Sequence, residues 1–113
     1  MGTFTSQTID SGAVVIRPTG QINLVSAPTL RRDLHDLVTA GGNLWVVDLS
    51  GVDFIDSSGL GALISGLKAA REAGGDLRIA APNAQVMKVL ELTNLTRVLS
   101  PYESVDAAAA DRP

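Results

Sequence analysis

The 113-residue chain contains no cysteine and a single histidine, His35. A disulfide framework and a thiolate metal site are therefore excluded, and one histidine cannot form a histidine-rich zinc site. A serine nucleophile needs a base beside it, and the sequence has neither a second histidine nor the Gly-x-x-x-x-Gly-Lys loop that cradles phosphates. We therefore expect a protein that is not an enzyme and that holds no metal or cofactor.

Basic runs and long apolar runs are also missing. The formal net charge is −3, and the Lys and Arg residues form no cluster, so we expect no nucleic-acid-binding surface. No apolar stretch approaches the roughly 20 residues that cross a bilayer, and the N-terminus has no signal-peptide pattern. The sequence therefore predicts a cytoplasmic protein without direct membrane insertion.

The chain does have enough apolar residues for one core. Hydrophobic residues make up 45% of the sequence and charged residues 19%, which is typical of a globular domain. A chain of this length is expected to fold as one domain. Residues 1–113 are therefore predicted to form a single unit, with residues 111–113 frayed at its end.

Several segments have the composition of strands. Residues 3–9 and 13–17 are rich in β-branched residues and flank the turn signal Asp10-Ser11-Gly12, which predicts a hairpin. Residues 44–49 are almost continuously apolar, which is typical of a central strand covered on both faces. The remaining predictions are a break in the second strand at Gly20 and two further strands at residues 77–80 and 97–99.

Four helices are predicted from apolar residues at helical spacing and from residues that favour helix ends. Ser26 is the predicted cap of the first helix and Asn83 the predicted cap of the third. Ser100 and Glu103 fit a capping box at the start of the last helix, which runs into 107–110. These elements predict an α/β domain with a mixed sheet of four or five strands and about four helices packed on it.

Asp56, Ser57 and Ser58 follow an apolar strand at the start of the predicted second helix. Residues of these types commonly accept hydrogen bonds from the free N–H groups of a helix start. A hydroxyl at this position can also be a target for modification, because the free N–H groups and the helix macrodipole accommodate a phosphate. The residues by themselves leave both interpretations open.

The segment Asp56-Ser57-Ser58-Gly59-Leu60-Gly61 resembles the signature of the STAS domains, specifically the bacterial anti-sigma factor antagonists. The similarity extends over nearly the whole chain. It includes Gly20 after the second strand, Ala27-Pro28 at the first helix and the closing segment 102–108. The resemblance implies a single STAS-like domain.

This resemblance implies a partner-switching phosphoprotein that controls transcription in stress response or sporulation. In that family the unphosphorylated protein binds an anti-sigma factor that is also an ATP-dependent serine kinase, and a sigma factor is released. The kinase phosphorylates the first serine of the segment, here Ser57, and a serine phosphatase resets it. The residues implied in partner binding around this serine are Asp56, Ser58, Gly59, Leu60 and Gly61.

An alternative within the same family is a STAS scaffold or regulatory subunit of a membrane transport or sensory complex, without sigma control. Such a protein would keep the fold and a partner surface but would not need Ser57.

The sequence departs from the family pattern at Gln21 and Asn23. Many antagonists carry an acidic pair in a Gly-Glu-Leu/Ile-Asp segment, whereas this chain reads Gly20-Gln21-Ile22-Asn23. The two amides keep the shape and the hydrogen-bonding capacity of the acids but remove their charge. We expect both residues to lie on the partner-binding surface and to weaken any salt bridge to the kinase.

Other polar and aromatic residues are assigned structural or solvent-exposed positions. His35 stands one position off the apolar stripe of the first helix, which predicts exposure. Arg31, Arg32 and Asp33 are predicted to lie on the solvated face of that helix, which the resemblance places near the partner-binding surface. Trp45 is predicted to belong to the core of the sheet.

Overall fold

The computed structural model describes residues 5–110, so the predicted frayed end at residues 111–113 and the first residues of the predicted hairpin lie outside it. The elements in chain order are β1 (Thr5–Thr8), β2 (Val14–Arg17), β3 (Gly20–Ile22), α1 (Ala27–Ala40), β4 (Leu44–Asp48), β5 (Val52–Ile55), α2 (Ser57–Glu72), β6 (Asp76–Ala80), α3 (Ala84–Leu92), the 3-10 turn Leu95–Arg97, β7 (Pro101–Tyr102) and α4 (Val105–Ala110).

Five of these strands form one mixed sheet in the order β1-β2-β4-β6-β7. β1 pairs antiparallel with β2, which confirms the predicted hairpin, and the other neighbours are parallel. Parallel neighbours need crossover connections, which α1, α2 and α3 supply. The predicted α/β fold with a mixed sheet and four helices is therefore confirmed. Within residues 5–110, no helix combines the length and apolar character that a membrane span requires.

β4 lies at the centre of the sheet and is buried along its whole length. Its side chains alternate between two clusters, as the pleat of a strand requires. Trp45 and Val47 belong to the cluster that contains the apolar residues of α1 and α2, whereas Leu44 and Val46 pack in the cluster that contains α4. Helices on both faces explain the uninterrupted apolar run, and the core position predicted for Trp45 is confirmed.

A second sheet of two parallel strands, β3 and β5, lies beside the start of α2. The predicted break at Gly20 is present, but a new strand begins at this residue, and the sequence analysis missed it. β3 has three residues, which is too short for an alternating pattern to be recognised. Its last residue, Ile22, accepts a hydrogen bond from the backbone N–H of Asp56 at 3.2 Å.

The predicted strand at residues 97–99 is wrong. Leu95–Arg97 forms a 3-10 turn, and the N–H groups of Val98 and Leu99 both donate to the carbonyl of Leu95, at 3.1 and 2.8 Å. Leu99 is fully buried in the main core. The apolar residues Val98 and Leu99 therefore serve core packing and not strand pairing.

The predicted capping box at Ser100 is also wrong. Pro101 and Tyr102 form the edge strand β7, which pairs with β6. The last helix is instead capped by Ser104, whose Oγ accepts a hydrogen bond from the N–H of Ala107 at 3.0 Å. The local pattern fits a helix start, but pairing with a strand far away in the sequence holds these residues extended.

The packing of α2 on the sheet gives a first prediction. Leu63 is fully buried on α2, whereas Leu92 at the end of α3 is 75% exposed. Leu63→Ala should lower the free energy of unfolding by about 2–5 kcal/mol, because it leaves a cavity in the core. Leu92→Ala is the matched control and should change it by about 0.5 kcal/mol or less. Urea denaturation measures both, and equal losses would contradict the assignment of α2 to the core.

Candidate functional site

Asp56 lies between β5 and α2 and uses both oxygens of its carboxylate. Oδ1 accepts a hydrogen bond from the backbone N–H of Gly59 at 2.9 Å, which caps the N-terminus of α2. Oδ2 accepts a hydrogen bond from the backbone N–H of Leu24 at 3.1 Å. One side chain therefore caps the helix and also fastens the turn that precedes α1 to it.

The two serines that follow Asp56 are not used for capping. Ser57 is exposed and Ser58 is half-buried. Among the described residues, neither hydroxyl forms a hydrogen bond, and the cap is supplied by the aspartate. The capping interpretation therefore holds for Asp56 alone, and the hydroxyl of Ser57 faces solvent on the first turn of α2.

The turn between β3 and α1 is organised by Asn23. Its Oδ1 accepts hydrogen bonds from the N–H groups of Val25 and Ser26, at 3.0 and 3.2 Å. Its Nδ2 donates to Oε1 of Gln21 at 3.2 Å. The two residues that depart from the family pattern are therefore bonded to each other, Gln21 being exposed and Asn23 half-buried.

Ser26 occupies the predicted position before α1, but the capping hydrogen bond predicted for its side chain is absent. Its Oγ accepts from the N–H of Asn23 at 3.0 Å and donates to the carbonyl of Gln21 at 2.9 Å. Ser26 already has helical dihedral angles, φ −90° and ψ −19°. The helical conformation therefore begins before α1, and Oδ1 of Asn23 accepts from the free N–H groups of Val25 and Ser26.

This turn presents two apolar side chains to solvent. Leu24 is 72% exposed and Val25 is 86% exposed. Sequence analysis did not single them out, although two adjacent apolar residues in a turn between a strand and a helix are a signal for an exposed contact. Because the N–H of Leu24 is bonded to Asp56, this apolar surface is fixed relative to α2.

An open groove of about 510 Å³ runs from Leu24 along α1 to the start of α2. Its wall combines apolar side chains from the turn and the first part of α1 with three nitrogen-bearing side chains. The residues that line it are Leu24, Ala27, Pro28, Arg31, Arg32, His35 and Ser58.

The polar residues of this groove have different partners. His35 is exposed, and its Nε2 lies 3.0 Å from Oγ of Ser65, which joins α1 to α2. Nε of Arg32 lies 4.0 Å from the carboxylate of Asp33. Arg31 is exposed and forms no ion pair with any residue between 5 and 110. The predicted exposure of His35, Arg31 and Arg32 is confirmed, whereas Asp33, which was predicted on the same solvated face, is half-buried.

Gly59, Leu60 and Gly61, which are predicted to bind the partner, lie on α2 at different depths. Gly59 and Leu60 are buried, so they shape the surface from beneath and offer no side chain to a partner. A Cβ on Gly59 would lie 2.5 Å from the carbonyl oxygen of Ile22 and 2.6 Å from Cγ1 of Ile55. Gly61 is half-buried, and a Cβ there would meet Nη2 of Arg31 at an ordinary 3.7 Å.

In the part of the chain that the structure describes, no three His, Asp or Glu side chains are grouped so that they can hold a metal ion. The arrangement can instead present a free hydroxyl beside a partly apolar, partly cationic groove.

Comparisons with known proteins agree on one family. A family model described as the STAS domain matches residues 5–108. A Thermotoga maritima protein named as an anti-sigma factor antagonist is 32% identical over 96 residues, which cover 84% of this chain and 85% of that relative. The anti-sigma-B factor antagonist of Bacillus subtilis is 30% identical over 80 residues, 71% of this chain and 72% of its own length.

A crystal structure of the Thermotoga maritima antagonist has the same fold as this chain. The two superpose with a TM-score of 0.88 at 30% identity, over 96% of this chain and 93% of that one. The similarity therefore includes the strands and helices that hold the groove.

The two glycines at the start of α2 give the next prediction. Gly59→Ala should lower the free energy of unfolding by about 1–3 kcal/mol, because the methyl group would collide with a backbone carbonyl. Gly61→Ala should raise it by about 0.5–1 kcal/mol, because alanine favours the helix and has room there. Chemical denaturation of both variants provides the test. If Gly59→Ala were as stable as the parent, the close packing of α2 on β3 would be refuted.

Proposed function

The chain belongs to the STAS domain family, in the branch of the anti-sigma factor antagonists, and we propose that phosphorylation of Ser57 switches its partner binding off. In the unphosphorylated form it binds an anti-sigma factor that is also a serine kinase, so that a sigma factor is released. The kinase then modifies Ser57, and a serine phosphatase restores the hydroxyl. The exchange takes place in the cytoplasm.

The hydrogen bonding of Asp56 is the observation that carries this proposal. A serine that caps a helix must keep its oxygen on the backbone N–H groups, and its modification would cost the cap. Here the aspartate supplies the cap, and the hydroxyl of Ser57 is exposed and unbonded within residues 5–110. A kinase can therefore reach this hydroxyl, and a phosphate can be added, without breaking the start of α2.

The groove beside Ser57 provides a surface for the partner. Exposed apolar patches bordered by polar residues are typical of protein contacts. Leu24, which lines the groove, is 72% exposed, and the adjacent Val25 is 86% exposed. Arg31 and Arg32 add positive charge along the same wall. The surface therefore suits a partner segment that combines an apolar anchor with acidic side chains.

Phosphorylation changes this surface without unfolding the domain. A phosphate at the first turn of α2 lies near free N–H groups and the positive end of the macrodipole, which favour negative charge. It adds about 1.5 to 2 negative charges, which takes the net charge from −3 to roughly −5. A partner fitted to a neutral hydroxyl, and acidic where it meets the two arginines, would then be repelled.

A scaffold subunit of a membrane transport or sensory complex is the alternative function. It would use the same fold and a partner surface, but its binding would not respond to the state of Ser57. The response of binding to substitutions at this serine therefore separates the two functions.

The central prediction concerns the two serines. Ser57→Ala should accept no phosphate and should keep binding the kinase, because it removes the acceptor oxygen and adds no charge. Ser57→Asp should bind at least about tenfold more weakly, since its carboxylate imitates part of the charge of a phosphate. Ser58→Ala is the matched control and should still be phosphorylated at Ser57. Calorimetric titration measures the affinities, and mass spectrometry locates the phosphate.

Circular dichroism of each variant verifies that the domain remains folded. Phosphate on Ser58 in the unaltered protein would show that the wrong serine was assigned. Full binding by Ser57→Asp, together with full binding by the phosphorylated protein, would exclude the switch and favour the scaffold.

The amide pair gives a further prediction. Gln21→Glu places a charge on an exposed side chain, so it should alter the affinity for the kinase while shifting stability by about 0.5 kcal/mol or less. Asn23→Asp keeps the oxygen that accepts from Val25 and Ser26, so it should leave the turn intact. Titration with the kinase and thermal unfolding measure the two effects. Unchanged affinity in both variants would place this pair outside the interface.

A further inference from the structure

Arg31 on α1 lies against the first turns of α2. Its Nη2 is 3.7 Å from the position that a Cβ would occupy on Gly61. A glycine at this point leaves the helix surface open, so the guanidinium can rest on it. Arg31 and Ser58 also line the same groove, which places the cation beside the first turn of α2.

Helix geometry places the guanidinium of Arg31 near Ser57 as well as near Gly61. Residues four apart lie on one face, with Cβ atoms about 5–6 Å apart, so Ser57 and Gly61 are neighbours along α2. Each Cβ of a helix also leans toward its N-terminus, so an atom next to the Cβ position of Gly61 is displaced toward the turn that holds Ser57. A phosphate on that serine would extend into the space that the guanidinium borders.

Arg31, Arg32 and His35 are the nitrogen-bearing side chains of the groove. Within residues 5–110, Arg31 has no ion pair or hydrogen bond that would compete with a phosphate. Arg32 is paired with Asp33 at 4.0 Å, and His35 is bonded to Ser65 at 3.0 Å. The nearest carboxylate to Ser57 in sequence, that of Asp56, is occupied by two backbone N–H donors. The guanidinium of Arg31 is therefore available to a new anion.

We propose that Arg31 binds the phosphate of phosphorylated Ser57 within the same molecule, an inference that rests on the modification of this serine proposed above. A guanidinium offers two parallel N–H donors to phosphate oxygens, which makes the pair stronger than a simple ion contact. The contact links α1 to α2 across the groove. It also occupies the cation that an acidic partner would use, so modification removes a partner contact as well as adding repulsion.

The test uses chains that carry phosphoserine at position 57 through genetically encoded incorporation, so no kinase is needed. A neighbouring guanidinium favours the dianion and lowers the second pKa of the phosphate. Phosphorus NMR titration should therefore give a pKa about 0.5 unit or more lower in the parent than in Arg31→Gln. Arg32→Gln removes the same charge from the adjacent position and is the matched control, with a pKa like that of the parent.

Arg31→Lys keeps the charge and loses the planar fork, so its phosphate should titrate between those of the parent and Arg31→Gln. Equal pKa values in the parent and Arg31→Gln would overturn the inference, as would an equal effect of Arg32→Gln. Neither result would affect the proposed switch, which depends on partner release. Conversely, if the kinase did not modify Ser57, the proposed function would fail, while the titration would still decide whether Arg31 holds the phosphate.

Discussion

The rest of the site depends on the two hydrogen bonds that the carboxylate of Asp56 accepts, one at each oxygen. One oxygen caps α2 and the other holds the turn before α1 through Leu24. This bridge holds the turn that carries the exposed apolar side chains against the first turn of α2, where the hydroxyl of Ser57 lies. The apolar side chains and the hydroxyl therefore form one surface of fixed geometry, and the serines need not serve the helix end. A single charged residue therefore provides the order of the site and leaves the neighbouring hydroxyl chemically free.

The packing beneath the surface imposes the second constraint. Gly59 is in contact with β3 and β5, and no side chain larger than hydrogen fits there. Gly61, only two residues later, has ordinary space and faces Arg31. The same residue type thus serves two purposes in one helical turn: the first glycine brings the helix close to the small sheet, and the second leaves its outer face open. A partner or a phosphate therefore meets a helix that Gly59 keeps close to the small sheet and whose outer face Gly61 leaves open.

Much of the fold follows from local signals in the sequence. The apolar run at residues 44–49 predicted the central strand, which the structure places at Leu44–Asp48, since a strand covered on both faces has no polar side. Asn83 caps α3 as predicted, through a hydrogen bond from Val86 at 2.9 Å. Local signals gave the wrong prediction where contacts distant in sequence determine the conformation. Pro101 and Tyr102 pair with β6, although their local pattern fits a helix start. The short strand β3 was missed because its three residues show no recognisable alternation, and it is held extended by pairing with β5, which is distant in sequence.

For the site, the sequence by itself determined which residues stand at the strand-to-helix junction and which family they resemble, because that information lies in one continuous segment. It could not decide whether Asp56 or a serine caps the helix, since all are suitable residue types. The structure assigns the cap to Asp56, and the tertiary fold places the turn at Leu24 within reach of the second oxygen of this residue. It also brought Arg31 to Gly61. Contacts between separate segments depend on how the helices pack, and no local pattern specifies that packing.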